Sequence, residues 1–121
     1  MQSKPVFQIF GTKKCKNTQK AIRFFSERRL TIQFIDLNVK GLSQGELNNV
    51  LQYYTIDDII DTGSNEYKLK NLKYIIHDKL QTALDHPLIL KTPIIRFNKK
   101  VILGFDEKEI KDFINKTGGN I

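Results

Sequence analysis

The stretch Val6-Phe7-Gln8-Ile9-Phe10-Gly11-Thr12-Lys13-Lys14-Cys15-Lys16-Asn17-Thr18 decides how this chain reads. Its opening residues are mostly apolar and strand-like, and from Lys16 to Arg29 the sequence is helix-like. Between the two lies the only cysteine, Cys15. At a strand-to-helix turn the first helical N–H groups point outward without partners and carry partial positive charge. Lys13, Lys14 and Lys16 add full positive charges beside it. Each of these favours thiolate over thiol, and the thiolate is the nucleophile. Two readings stand at this point. Cys15 is a reactive cysteine that the rest of the chain presents, or it is a small buried hydrophobe, as free cysteines commonly are.

Working outward, Pro5 to Phe10 reads as a first strand, apolar enough to be buried on both faces. In the helix that follows, Ala21, Ile22 and Phe25 make an apolar stripe. Lys16, Lys20 and Arg23 make a second, basic stripe, with Lys16 nearest the helix start and Cys15. Thr31 to Leu37 alternates polar and apolar residues and reads as a second strand. Strand, helix and strand in close succession form a βαβ unit, so the two strands should be parallel with a right-handed crossover.

Farther along, Asn38-Val39-Lys40-Gly41 is a turn, and Ser43-Gln44-Gly45-Glu46 has the capping-box pattern ahead of Leu47, Val50 and Leu51. Thr55-Ile56-Asp57-Asp58 starts a short helix through Ile59 and Ile60, and Thr62-Gly63-Ser64-Asn65 reads as a loop. Leu69, Leu72, Ile76, Leu80 and Leu84 predict a long helix over Leu69 to Leu84 with a break near Ile75, stopped by His86-Pro87. Pro93 opens a second β region: Ile94 to Phe97, the turn Asn98-Lys99-Lys100, then Val101 to Gly104, together a hairpin. Asp106 and Glu109 mark a last N-cap, Ile110, Phe113 and Ile114 the core face of the final helix, and residues 116–120 a frayed tail. The order βαβ, helical stretch, ββα predicts one α/β domain over residues 1–121 with the thioredoxin-like plan. Its mixed four-stranded sheet carries an enlarged helical segment, about residues 43–89, between strands 2 and 3.

Composition narrows the function. At 121 residues the chain can bury a real core. No apolar run approaches the roughly 18 residues that span a bilayer, so no membrane partner is expected. Met1-Gln2-Ser3-Lys4-Pro5 is followed by no signal-peptide core. A lone cysteine leaves no internal disulfide and fits a reducing cytoplasm, the expected location. The net charge of +7 is unevenly placed: residues 1–40 hold nine Lys/Arg against two Asp/Glu, and residues 41–121 hold eleven of each. The excess therefore surrounds Cys15. It reads as a site for an anionic substrate or cosubstrate, as a nucleic-acid contact, or as a solvated lysine-rich face. Nucleic acid is the weakest reading, because no recognised motif or aromatic-basic pattern accompanies the charge. His77 and His86 stand singly and far from Cys15 in sequence, so no metal site is expected. Asp57-Asp58 is explained by its N-cap context, and Tyr67-Lys68 by packing and surface.

Four segments resemble the ArsC/Spx/YffB group, which comprises glutaredoxin-like arsenate reductases, Spx transcription regulators and their relatives. Phe10-Gly11-Thr12-Lys13-Lys14-Cys15 resembles the group's active loop. Asp61 to Lys68, His86 to Ile95 and Gly104-Phe105 resemble its three later motifs in order and spacing. The resemblance implies that Thr92-Pro93 is the cis-proline of the thioredoxin fold, facing the cysteine. It also implies a thiol and substrate site built from Cys15 with Thr12, Lys14, Lys16, Thr18, Lys91, Thr92 and Pro93.

Departures from the group pattern carry as much information. Its arsenate reductases hold the oxyanion with three arginines. At the matching places this chain has Thr92 preceded by Lys91, the run Ile56-Asp57-Asp58-Ile59, and Phe105-Asp106. A lysine binds an oxyanion as a point charge without arginine's two-pronged geometry, and Asp58 would repel it. Redox-switched Spx proteins carry Cys-x-x-Cys, and here the fourth position is Thr18, so no disulfide switch can form in this motif. A monothiol mechanism remains. Cys15 would attack an electrophile or a glutathione disulfide, with glutathione as cosubstrate and glutathione, a glutaredoxin or a thioredoxin as reductant. Thr18 would donate a hydrogen bond to the sulfur, or serve only as a helix residue. No bound cofactor is expected. The alternatives are a Spx-like binding protein that contacts RNA polymerase by surface rather than by redox, and a degenerate member whose Cys15 is inert. The resemblance suggests a bacterial source.

Overall fold

The central strand of the sheet is β1 (Val6–Gly11). The structure, a computed structural model, describes residues 6–75 and 77–116. β1 pairs in parallel with β2 (Thr31–Asp36), from Val6 opposite Thr31 to Gly11 opposite Asp36. On its other side it pairs antiparallel with β3 (Ile94–Phe97), which pairs with β4 (Lys100–Leu103). The sheet order is β2-β1-β3-β4, mixed as the sequence predicts, and it is the thioredoxin-like arrangement.

Helices cover both faces because the strands alternate between two apolar sets. Phe7 and Ile9 of β1, Ile95 and Phe97 of β3, and Ile102 of β4 meet α1 (Lys16–Glu27) and α6 (Glu107–Lys116) through Ala21, Phe24, Phe25, Ile110, Phe113 and Ile114. The ring of Phe7 stacks on Phe97 at 4.5 Å between centroids, which fixes the middle of this layer. Phe10, Ile94 and Val101 face the other way, onto the helical segment that begins with α2 (Gln44–Val50) and α3 (Ile56–Ile59). β1 is thus sealed on both faces only toward its C-terminal end. Val6 is exposed and Gln8 half-buried, in contrast to the burial on both faces that the sequence predicts for this mostly apolar strand. Gln8 joins a polar ladder: it donates to Gln33 at 3.1 Å and accepts from Arg96, which also donates to Asn49 Oδ1 at 2.6 Å. Asn49 in turn donates to the Lys99 carbonyl at 2.7 Å.

Local capping explains the helix starts. Ser43 with Glu46 and Thr55 with Asp58 each form both hydrogen bonds of a capping box. Asp106 accepts from the Glu109 N–H at 3.0 Å. Two expectations are corrected. The predicted loop Thr62–Asn65 ends in an N-cap, since Ser64 accepts from the Tyr67 N–H and α4 (Asn65–Leu69) starts there. The predicted helix Leu69–Leu84 has its expected break at Ile75, but it is three pieces rather than two: the end of α4, a 3-10 turn at Leu72–Tyr74, and α5 (Lys79–Asp85). Asn71 sits left-handed at φ 53°, and Asp78 caps α5 by accepting from the N–H groups of Leu80 and Gln81. Leu69 is 80% exposed, so the apolar spacing that suggests one helix does not mark one buried face. Ile76 lies outside the described residues, as do Pro5 and residues 117–120 of the predicted tail.

Helix α1 ends at Glu27, with Arg29 at φ 56°. The hairpin between β3 and β4 turns on two residues, Asn98 and Lys99, both with positive φ. Among the described residues no helix is long and apolar enough to cross a membrane.

Candidate active site

β1 ends at Gly11, and the chain turns through Thr12-Lys13-Lys14 into α1. The Thr12 carbonyl accepts from the Cys15 N–H at 3.2 Å, and the Lys13 carbonyl accepts from the Gln19 side chain. Both hydrogen bonds hold the loop against the helix, and they make Cys15 the N-cap of α1. The sulfur is part-buried at the positive end of a 12-residue helix.

The second wall comes from 77 residues away. The segment before β3 is pinned to the helical region by Ile60 bridging Leu90, by the Asp61 N–H donating to Ile89 and by the Lys91 N–H donating to Ile59, both at 2.7 Å. This carries Thr92 to the cysteine. Thr92 Oγ1 donates to Cys15 Sγ at 3.1 Å, and Sγ approaches the Thr92 carbonyl at 3.8 Å. The Thr92–Pro93 peptide is cis and Pro93 is buried. The Pro93 carbonyl accepts from the Gly104 N–H at 2.7 Å, so the turn after β4 closes over the same region. Gly104 has φ 86°, a conformation that L side chains rarely adopt, and it fits there because it lacks a Cβ.

Thr18 completes the inner side. It is fully buried, and its Oγ1 has no aligned hydrogen-bond partner among the described residues. It packs on Gly11, where a methyl group would lie 2.6 Å from Thr18 Cγ2, so the close approach of helix to strand needs glycine. Burial pushes the Cys15 thiol up, but the Thr18 and Thr92 side chains and the backbone N–H groups of Thr18 and Asn17 together outweigh it. The thiol is held below its ordinary value.

The leading causes of that shift are neutral groups. Lys13, Lys14 and Lys16, on which the sequence reading relies, are exposed, and none is among them. Lys91 is exposed as well and lies beside Asp58. The Asp58 carboxyl is kept below its usual range chiefly by the backbone and hydroxyl of Thr55, with Lys91 adding to the effect. Of the residues named from the sequence, the structure brings Cys15, Thr12, Thr18, Thr92 and Pro93 together, and it leaves Lys14, Lys16 and Lys91 exposed around them. Sequence reasoning missed two supports, the Gly11–Thr18 contact and the Gly104–Pro93 hydrogen bond. The glycines themselves were the visible signal. Among the described residues no cluster of three His, Cys, Asp or Glu side chains could hold a metal ion.

A family model described as "ArsC family" matches residues 10–113. The chain belongs to the ArsC family. Its similarity to curated ArsC-family relatives spans most of both chains. It is 28% identical over 111 residues to global transcriptional regulator Spx 2 of Oceanobacillus iheyensis, covering 88% of this chain and 82% of that protein. It is 26% identical to global transcriptional regulator Spx of Streptococcus mutans, covering 88% and 81%. Among solved structures, the arsenate reductase from Vibrio cholerae superposes with a TM-score of 0.69 at 17% identity, over 82% of this chain and 89% of that one. An arsenate reductase (ArsC) related protein from Brucella melitensis superposes at 0.65 with 16% identity, over 94% and 98%. The structural matches establish the shared fold.

Proposed function

We propose that this ArsC-family protein is a monothiol reductase that uses the Cys15 thiolate, with glutathione as cosubstrate. The observation that carries this reading is the 3.1 Å hydrogen bond from Thr92 Oγ1 to Cys15 Sγ, made at the N-cap of α1. A donor aimed at sulfur stabilises the thiolate more than the thiol. In the reaction, Cys15 Sγ attacks the glutathione sulfur of a mixed disulfide. The old S–S bond breaks, the substrate sulfur leaves as thiolate and takes a proton from solvent, and Cys15 becomes glutathionylated. A glutathione thiolate then attacks the glutathione sulfur of this adduct, which releases the Cys15 thiolate and oxidised glutathione. A glutaredoxin or thioredoxin thiol would serve as resolving reductant by the same exchange. Thr18, with no cysteine in its place, leaves resolution to an external thiol. Thr12 and Pro93 shape the site, and Lys14, Lys16 and Lys91 supply cations around its rim. Arsenate is disfavoured as substrate, because Lys91 stands beside the Asp58 carboxylate and no arginine occupies the three matching places.

The test is the rate of Cys15 alkylation against pH, together with intact mass after exposure to oxidised glutathione. A midpoint near about 7, against roughly 8.5 for an ordinary thiol, with a single glutathione adduct reversed by reduced glutathione, supports the proposal. An ordinary midpoint and no adduct overturn it.

The second reading is a Spx-like binding protein that contacts RNA polymerase without a redox switch. It is favoured by the names of the curated relatives. A polymerase complex that survives Cys15→Ser would establish it.

A further inference from the structure

Helix α1 carries a basic track whose cations make no ion pair among the described residues. Lys16, Gln19, Lys20 and Arg23 line an open groove of about 400 Å³, and all four are exposed. Lys13 and Lys14, also exposed, continue the charge past the thiol. The track stops where Glu27 and Glu107 adjoin Arg23, with Glu107 reaching Arg28 at 3.9 Å.

This arrangement works against helix stability. Helices α2, α3, α4 and α6 carry acidic residues in their first turns; α1 and α5 have none there, and both begin with a lysine, Lys16 in α1. Lys16 and Lys20 repel each other at a spacing of four residues. The opposite side of the sheet has the reverse balance: residues 43–89 hold seven Asp/Glu against four Lys. From Lys16 to Arg23 the track rises roughly 10 Å along the helix. An extended chain covers that distance in about three residues.

We propose that this track docks an acidic segment of a partner protein whose disulfide or glutathione mixed disulfide exchanges with Cys15. The inference rests on the monothiol reading and names its substrate class: a protein thiol flanked by Asp or Glu. Free glutathione is too short to use the whole track when its sulfur is at Cys15. An acidic polypeptide brings its carboxylates along Lys16, Lys20 and Arg23 while the glutathione sulfur of its mixed disulfide meets the thiolate and its own sulfur leaves as thiolate. The complementary charge acts mainly on encounter and orientation, so it falls with ionic strength.

The experiment uses the full chain and three short peptides, each carrying one cysteine as its glutathione mixed disulfide and flanked by acidic, neutral or basic residues. With glutathione as resolving thiol, the acidic peptide should show a kcat/KM on the order of ten times that of the neutral one at low salt, with the difference nearly gone at roughly 0.5 M salt. The double variant Lys20→Gln/Arg23→Gln should lose most of that preference and leave the neutral peptide's rate unchanged. Equal rates for acidic and neutral peptides, or an unaltered preference in the variant, overturn the inference. A binding arm separates this outcome from failure of the monothiol reading. Cys15→Ser protein should bind the fluorescent acidic peptide in a salt-sensitive way and lose affinity in the double variant. Such binding with no turnover of any peptide refutes the reductase and keeps the docking track. Tighter binding of a DNA duplex than of the acidic peptide makes the track a nucleic-acid surface and overturns the inference.

Discussion

The proposed chemistry depends on a few atoms around one sulfur. Thr92 Oγ1 donates to Cys15 Sγ, and the backbone N–H groups of Asn17 and Thr18 face the same atom. Thr92→Val removes the side-chain donor and keeps the shape. A hydrogen bond to a charged group contributes about 1.5–3 kcal/mol, so the alkylation midpoint should rise by roughly one to two pH units and reactivity at neutral pH should fall accordingly. The same shift couples to folding. The folded thiol titrates below its ordinary value. Its stabilising contribution is therefore full above the unfolded value and is lost as pH falls through the folded one. Wild type should gain stability over Cys15→Ser as pH rises through that window, measured by urea midpoints across the alkaline range. A difference that is flat with pH would mean that the thiol is not shifted. At this scale the sequence was informative about Cys15 and Thr18, which are neighbours in one helical turn. It named the helix-start N–H groups, the Thr18 hydroxyl and the lysines together, and of these the backbone and hydroxyl groups, joined by Thr92, act on the sulfur. Residue spacing cannot show whether a side chain of four methylenes folds back or extends into water.

At the scale of elements, the capping patterns were legible because each is decided within four residues: Ser43 with Glu46, Thr55 with Asp58, and Asp106 with Glu109. The break expected near Ile75 is there, but the helix read on its N-terminal side is not, because Leu69, Leu72, Leu80 and Leu84 keep helical spacing although they do not share a buried face. The left-handed Asn71 and the cap at Asp78 break it. The hairpin turn was read one residue too long. Asn98 suits positive φ, while Lys99 holds φ 68° without a short polar side chain to offset the strain. Lys99→Gly should therefore stabilise the protein by about 0.5–1 kcal/mol, seen as a higher urea midpoint at unchanged slope. The Lys99 carbonyl stays in place for Asn49, so the cross-sheet ladder should persist.

For the whole molecule, the question is how the helical segment is fixed to the sheet so that residues 89–92 arrive at the cysteine. Asn49 is the polar bolt. It is 7% exposed, accepts from Arg96 of β3 and donates to Lys99 in the turn. Asn49→Ala leaves the Arg96 Nε–H and the Lys99 carbonyl unpaired, and should cost on the order of 2–3 kcal/mol by denaturant unfolding. The alkylation midpoint of Cys15 should move little in native buffer, because the Ile60–Leu90 bridge still aims Thr92. The fold was legible from the order of strands and helices. The polar ladder was not, since Gln8, Asn49 and Arg96 are 41 or more residues apart and nothing local in any of them marks the other two.

The 77 positions that part Thr92 from Cys15 also separate two moments in the life of the chain. During synthesis the cysteine emerges long before its hydroxyl donor and before β3, which pairs with β1. Until that long-range closure is made, the sulfur lacks its partner across the sheet, and closure of this kind comes late and slowly in folding. A nascent or unfolded chain therefore carries only an ordinary thiol, and the lowered thiol is a product of folding. Pulsed alkylation during refolding would then follow the moment at which the two ends of the sheet meet.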